Sequence, residues 1–429
     1  MADVFYSVRP AGAGSGNDLK VACNIVIASG VATFSAAQTG DIGVGCYVLS
    51  SNTDGYISEM TDSTHAKIIT ALGATHANVS SEALTSIYHP YASLSAAEAG
   101  SDDANHLTDD DLVTLTIHLF WPCYGATADT TSVLIDTYTT SSSYKITVYT
   151  PQGLTKKESI NNWRNTTTKW NTNYFRVDPT GTANTLKVNI GNYEIIGLQI
   201  DHTDAQYYAC IEIAKYYAAG TIHSCVVRGP GGSNPYRYGI WSSQSMSTFE
   251  ITNTVICDMG SSTYCHGVRM GGGGSGTTFN NCTISGCNNG IRGGSGVVTI
   301  TNCAIFNNVD DIDVSGCSSA TVTYMASDDG DGTNAVDISP GATESTEWAK
   351  AFTDYANGDF SVKDASSVLY NAGTTIASVT TDIIGTARPQ STAYDIGAFE
   401  FPVAVAAGAI INQFQKANLG ADLFNGSLI

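Results

Sequence analysis

The stretch "NNCTISGCNNGIRGGSGVVTITNCAIFNNVDDIDVSG", residues 280–316, states nearly the same phrase twice. "FNNCTI" at 279–284 returns as "ITNCAI" at 300–305, and "NNGI" at 288–291 returns more loosely as "DDI" at 310–312. Working backward, the first phrase recurs as "ITNTVI" (251–256), "IHSCVV" (222–227) and "IIGLQI" (195–200). Aligned on its fourth letter it gives Leu198, Cys225, Thr254, Cys282 and Cys303, at steps of 27, 29, 28 and 21 residues. A second phrase centres on Ile211, Ile240, Val268, Ile291 and Ile312, at steps of 29, 28, 23 and 21. Two ladders that keep pace over five turns predict a repeat architecture with a strand in every copy.

Leucine-rich repeats would need a fixed frame of Leu and Asn, which is missing. The pattern predicts an all-β fold, a right-handed single-stranded parallel β-helix. Each coil contributes two or three short strands, and equivalent residues stack about 4.8 Å apart. Ile, Val, Cys and Thr form inward columns, while Asn and Gly take turns that need left-handed backbone. Cys282 and Cys303 then sit on adjacent rungs. Their distance alone permits a disulfide, but a chain folded in a reducing cytoplasm keeps stacked free thiols.

Composition agrees with strands and turns. Gly numbers 43 and charged residues are 14%. A net charge of −20 repels nucleic acid and anionic membrane. "MADVFYSVRP" lacks the basic start and apolar core of a signal peptide. No stretch of about 20 apolar residues predicts a transmembrane helix. The eleven Cys include no CxxC, and no His pair has zinc spacing; they read as small buried hydrophobes.

Four regions follow. Residues 1–92 form a strand-rich N-terminal cap region, with alternating runs such as "CNIVIASGVATFS". Residues 93–345 form the parallel β-helix with long loops, including a short helix in "SLSAAEAG" capped by Ser93 or Ser95. The polar, two-Trp stretch at 156–175 projects as a loop. Residues 346–401 are C-terminal coils and a closing motif, with a helix in "TEWAKAFTDY". Residues 402–429 are a C-terminal extension, a docking tail whose Ile410, Ile411, Phe414 and Leu419 contact a partner.

"FTDYANGDFSVKDASSVLYNAG" (352–373) and "TDIIGTARPQSTAYDIGAFEF" (381–401) carry a resemblance. A GDF strand (Gly358–Phe360), an NAG turn (Asn371–Gly373), then Asp382, Gly385, Arg388 and a closing Asp395–Glu400 resemble the C-terminal end of bacterial and phage β-helix proteins of the pectin-lyase-like type. The start, "VFYSVRPAGAGSGND", and the segments "SLSAAEAGSDDANHL" and "FWPCYGATADTTSVLID" are similar to parts of the same group. The resemblance implies the fold and says little of activity. Secreted bacterial members carry export signals. Their lack here points to a phage virion, assembled in the host cytoplasm.

Candidate chemistry falls in three places. The residues after the second-ladder centres, Glu212, Trp241, Arg269, Arg292 and Asp313, form one outward column if the centres point in. An aromatic flanked by Arg and acids suits a sugar; a solvated face with ordinary ion pairs is the competing reading. Glu212 and Asp313 would lie four coils, roughly 19 Å, apart, too far for a glycosidase pair. Asp201, Arg228 and Asp258 follow the first ladder on neighbouring coils and are the only candidates for catalysis. "SDDGDGTNAVD" offers Asp328, Asp329, Asp331 and Asp337 to calcium, without the Gly and closing Glu of an EF-hand; an acidic turn competes with it. No GxSxG, HExxH or phosphate loop occurs.

The sequence thus predicts a non-enzymatic structural protein of a phage virion: a capsid decoration, fibre or tail component. Its expected partners are the major capsid protein or tail, further copies of itself and a host-surface glycan. No cofactor is expected, calcium apart. The alternatives are a glycan-binding or glycan-degrading tailspike-like protein, acting as a polysaccharide lyase or glycoside hydrolase, and a bacterial surface adhesin.

Overall fold

The architecture was read from a computed structural model. The structure describes residues 1–151, 168–181, 183–202, 208–232, 236–245, 248–272, 276–341 and 343–403. The expected docking residues Ile410, Ile411, Phe414 and Leu419, and most of the 156–175 excursion, lie outside the described residues.

Strand dominates, and most of it lies in three parallel sheets. The first holds nine strands, from Ala2–Phe5 and Ile117–Pro122 through Asn192–Ile196, Ala219–His223, Thr248–Thr252, Thr277–Asn280 and Val297–Thr301 to Ser319–Thr323. The second, also of nine, runs from Ala128–Asp129 through Gln199–Asp201 and Val226–Arg228 to Val336–Asp337. The third has seven, from Val133–Ile135 to Asp310–Asp313. From Ile117–Pro122 to Ala326–Ser327 the chain visits the first, second and third sheets in turn, and successive visits to one sheet pair with each other.

The two sequence ladders are in register. Val226, Val255, Thr283 and Ala304 donate backbone N–H groups to the carbonyls of Leu198, Cys225, Thr254 and Cys282, the residues one coil before. Ile211, Ile240, Val268, Ile291 and Ile312 pair directly in succession. Leu198, Cys225, Thr254, Cys282 and Cys303 are fully buried, so the first ladder is an interior column. All eleven cysteines are free thiols.

The turn between the first and second sheets is set by one position. Ser224, Asn253, Asn281 and Asn302 all take left-handed backbone there, with φ of +56°, +49°, +51° and +56°. Asn tolerates this region better than most residues with a Cβ. This is why "TNC", "NNC" and "TNT" keep Asn in the third place of the phrase.

The N-terminal region divides. Ala2–Phe5 pairs with Ile117–Pro122 as the first strand of the first sheet. Between them the chain makes a closed antiparallel barrel of six strands, spanning Asn24–Ala28 to Val79–Tyr88. Its strands alternate: Ile25 and Ile27 are buried, while their neighbours face solvent. The helix Leu94–Gly100 follows, with the Ser93 hydroxyl accepting from the Ala96 N–H.

Residues 344–401 depart from the expected C-terminal coils. They add no strand to the three sheets. The helix Glu344–Ala351 and the antiparallel pair Phe352–Asp354 and Asp359–Val362 fold back over the outer face of the second sheet. Trp348, Phe352, Phe360, Ile383, Ile396 and Phe399 bury its outward Val226, Val255, Ala304 and Phe306. The outward column of that sheet is apolar, so it needs a cover. Among the described residues no helix is long and apolar enough to cross a membrane.

Candidate functional site

The outward column of the third sheet exists in the expected register. Glu212 pairs with Trp241, Trp241 with Arg269, Arg269 with Arg292, and Arg292 with Asp313. One member departs from expectation. Glu212 is only 4% exposed, because Lys187 on the preceding rung reaches it at 3.0 Å and Asn184 donates to it. The other four are half-buried. The Arg269 guanidinium lies 5.2 Å from the centre of the Tyr238 ring and donates to its hydroxyl at 2.6 Å. Tyr238 in turn meets Trp241 at 5.3 Å. At the strand entrances Tyr236 and Tyr264 stack at 4.4 Å. Burial, with Arg292 and Arg269 close by, holds His266 down to about 4, so it stays neutral at pH 7. The face therefore presents two cations on adjacent rungs beside four aromatic rings.

Asp201 and Arg228 meet in a direct ion pair, and the Arg228 charge reaches Asp258 at longer range. Asp201 is 1% exposed. Its Oδ2 accepts from Arg228 Nε at 3.0 Å and Nη2 at 2.6 Å, and its Oδ1 accepts from the His202 N–H at 2.7 Å. The next coil places Cys257, not Asp258, beside Arg228. Asp258 has a φ of +61° and turns its side chain outward. Trp170 covers the guanidinium at 4.3 Å. Burial pushes the Asp201 carboxyl up and Arg228 partly offsets this. The pair is an ion pair under an indole, with the Asp201 carboxylate buried and the Arg228 side chain partly exposed.

The expected calcium ligands rearrange. Asp329 and Asp331 come together with Asp311, whose position on the second ladder gave no hint of it. Asp328 is spent elsewhere: it accepts from Trp348 Nε1 at 2.8 Å and from the Asn307 N–H at 2.7 Å. Asp337 accepts from the Ser339 N–H at 2.9 Å, capping its own turn. Asp311 is 2% exposed. Burial pushes it up to about 7, and the charges of Asp328 and Asp329 add to this against the hydrogen bonds from Asn308 and the Asp328 N–H. Asp311, Asp329 and Asp331 could hold a metal ion, and three carboxylates suit a hard cation such as calcium.

A fourth place was not singled out by sequence. The first sheet's outer face carries a groove that runs across the strands containing Glu194, Thr221 and Glu250. These three pair in succession. Lys145 holds Glu194 at 2.5 Å, and the Thr147 hydroxyl donates to it at 2.9 Å. Burial alone would raise Glu194, but these partners outweigh it and keep the carboxyl below its ordinary value. The signal available in sequence was the alternation in "YEIIG", "TIHS" and "FEITN", which puts Glu194, Thr221 and Glu250 on one face.

The chain matches no family model, no curated protein and no solved structure.

A glycoside hydrolase needs a carboxylic acid that still holds its proton near neutral pH. Glu194 lies below its ordinary value and Asp201 is paired with Arg228, while burial pushes Asp311 up to about 7. Burial drives the Cys46 and Cys225 thiols up to about 12, away from the reactive thiolate form.

Proposed function

We propose that the three parallel sheets are the faces of one right-handed single-stranded β-helix, and that the protein is a non-enzymatic structural component displayed on a phage particle. It would serve as a capsid decoration, fibre or tail element, with other virion proteins and further copies of itself as partners. The observation that carries this reading is the interior column Leu198–Cys225–Thr254–Cys282–Cys303, fully buried and in register. A stack of this kind ties every coil to its neighbours through backbone hydrogen bonds and resists local opening. The C-terminal closing residues support it too: Phe360, Ile396 and Phe399 pack in the layer over the second sheet, and Asp382, Arg388 and Glu400 hold one another.

The test is antibody labelling and mass spectrometry of purified particles from the host that carries the gene. The expected result is the chain in the particle, with antibody decorating its outside. Recovery in the cell-envelope fraction and never in particles would contradict it, and would favour the surface adhesin.

A second reading, a glycan-binding spike, is favoured by Trp241, Arg269 and Arg292 beside Tyr238 on the third sheet. Aromatic faces and guanidinium groups suit a saccharide carrying carboxylates. Loss of retention on such a polysaccharide in Trp241→Ala would support it; unchanged retention would count against it.

A further inference from the structure

The two ends of the stack are finished differently. At the start, Val133 and Ile135 on the first strand of the third sheet are each 1% exposed. They share one buried cluster with Leu112 and with Leu94 and Ala97 of the helix Leu94–Gly100, which packs on that strand. At the other end, the last strand of the third sheet, Asp310–Asp313, pairs with Asn289–Arg292 on one side and has no strand on the other among the described residues. The last strand of the first sheet, Ser319–Thr323, pairs with Val297–Thr301, with a single bridge beyond it from Thr323 to Thr333. The inward Ile312 and Val322 stay half-buried, whereas Ile291 and Ile300, their partners one coil earlier, are fully buried.

An open sheet edge is a template for another strand, because its N–H and C=O groups on that side lack partners. Proteins often guard such edges with Lys or Pro, and neither of these two strands contains one. The charge here has one sign. From Gly293 to Ala349 the chain holds nine Asp and Glu and not one Lys, Arg or His. Asp310 is exposed and Asp313 half-buried. They accept from neutral groups, Asn289 and Ser315, with Arg292 on the preceding rung as their cation. Two such ends repel each other, which disfavours a second copy as the occupant. Residues 404–429 carry one Lys and one Asp and bring no net charge to the edge.

We propose that the Asp310–Asp313 edge accepts a strand from a partner protein, an extended segment in which apolar residues alternate with Lys or Arg. Its apolar side chains extend the inward column past Ile312, and its cations follow Asp313 in the outward column, since opposite charges on neighbouring strands stabilise a sheet. The backbone of the edge supplies affinity and the acids select the sequence. This surface rests on neither functional reading above.

The experiment uses the full chain and fluorescence anisotropy of a labelled peptide, KVKVTVKV, blocked at both ends, with EVEVTVEV as its acidic counterpart. The basic peptide is expected to bind saturably and the acidic one not. Raising salt from about 50 to about 500 mM should weaken binding tenfold or more. The double variant Asp310→Asn, Asp313→Asn should weaken it by roughly tenfold, with thermal unfolding confirming that it folds. Asp136→Asn, an exposed acid at the opposite end of the stack, should leave it unchanged. Methylating the backbone nitrogens of alternate residues, in both phases, should abolish binding in at least one phase, because the edge needs those N–H groups. Equal binding of both methylated peptides would overturn strand addition, and binding unchanged in the double variant would overturn the charge selection. Failure of the basic peptide to bind would overturn the proposal outright. Sedimentation of the full chain then separates a second copy on the edge, seen as a dimer, from occupation by its own residues 404–429, seen as a monomer.

Discussion

Asn302 and Thr374 clasp each other: Asn302 Nδ2 donates to the Thr374 carbonyl at 2.7 Å, and the Thr374 N–H donates to Asn302 Oδ1 at 2.8 Å. The same residue turns the chain from the first sheet to the second with a φ of +56°. Its neighbours in the column do likewise. Asn281 donates to the Asp395 carbonyl at 3.3 Å and Asn253 to that of Thr381 at 2.7 Å. In three successive coils a repeated Asn therefore makes the corner and fastens the C-terminal layer to it.

Separating these two roles is straightforward. Asn302→Gly keeps the left-handed corner and removes both clasp bonds; it is expected to cost about 1–3 kcal/mol. Asn302→Ala also strains the corner and is expected to cost about 1 kcal/mol more. Chemical denaturation of the full chain reads both values. Equal stability of the two variants would show that the corner backbone is not the constraint.

The closing motif should fail as a unit. Arg388 and Glu400 pair at 2.8 Å with side chains 0% and 1% exposed. Arg388 also donates to the Asp395 and Gly397 carbonyls, and Asp382 accepts from the Glu400 N–H. Removing one partner strands a buried charge, at about 3–5 kcal/mol. Glu400→Ala is expected to loosen residues 344–401 ahead of the sheets, seen as early proteolytic cleavage there with the stacked coils intact.

Close approach inside the coils predicts a glycine requirement. A Cβ on Gly267 would lie 2.5 Å from the Gly290 carbonyl oxygen and 2.6 Å from Ile284 Cγ2. Gly267→Ala should destabilise by about 1–3 kcal/mol through overpacking. Gly16, with nothing within 4 Å of the same position, should accept Ala within about 0.5 kcal/mol. Thermal melts of the two variants check the contrast.

Asp395 predicts a pH dependence. Burial pushes it from 3.8 up to about 6; Glu400 adds to this, while Arg388 and the N–H groups of Phe401 and Asn371 oppose it. A raised carboxyl favours the protonated folded state. Its contribution is full below about pH 4 and is lost as pH rises through about 6, worth at most about 3 kcal/mol. The decline in unfolding free energy between those pH values should be shallower in Asp395→Asn than in the parent chain. Parallel curves would remove Asp395 as the cause.

The repeat was legible because inward columns demand the same small set of apolar side chains at every coil, and that demand survives changes of period from 29 to 21 residues. Outward columns were legible in register but not in exposure: nothing near Glu212 in sequence announces Lys187, 25 residues earlier. The acidic cluster was half visible, since Asp329 and Asp331 are neighbours in sequence, while Asp311 reaches them only through the fold. The barrel's strands showed as alternation, but closure depends on pairings such as Asn24 with Ala83, which alternation does not encode. The C-terminal layer was hidden for the same reason, because its Asn partners lie 72 to 128 residues away.

The stacking of coils is tested most directly by distances between spin labels on the outward Thr–Glu column. Glu194, Thr221, Glu250, Thr278, Thr299 and Thr321 succeed one another there. Labels go in by cysteine substitution in a background where the two partly exposed thiols, Cys23 and Cys317, are serine. Separation should grow linearly with the number of coils between labels, by about 4.8 Å each, regardless of whether a coil spans 21 or 29 residues. Distances that follow sequence separation instead, or that fail to increase along the series, would contradict the account.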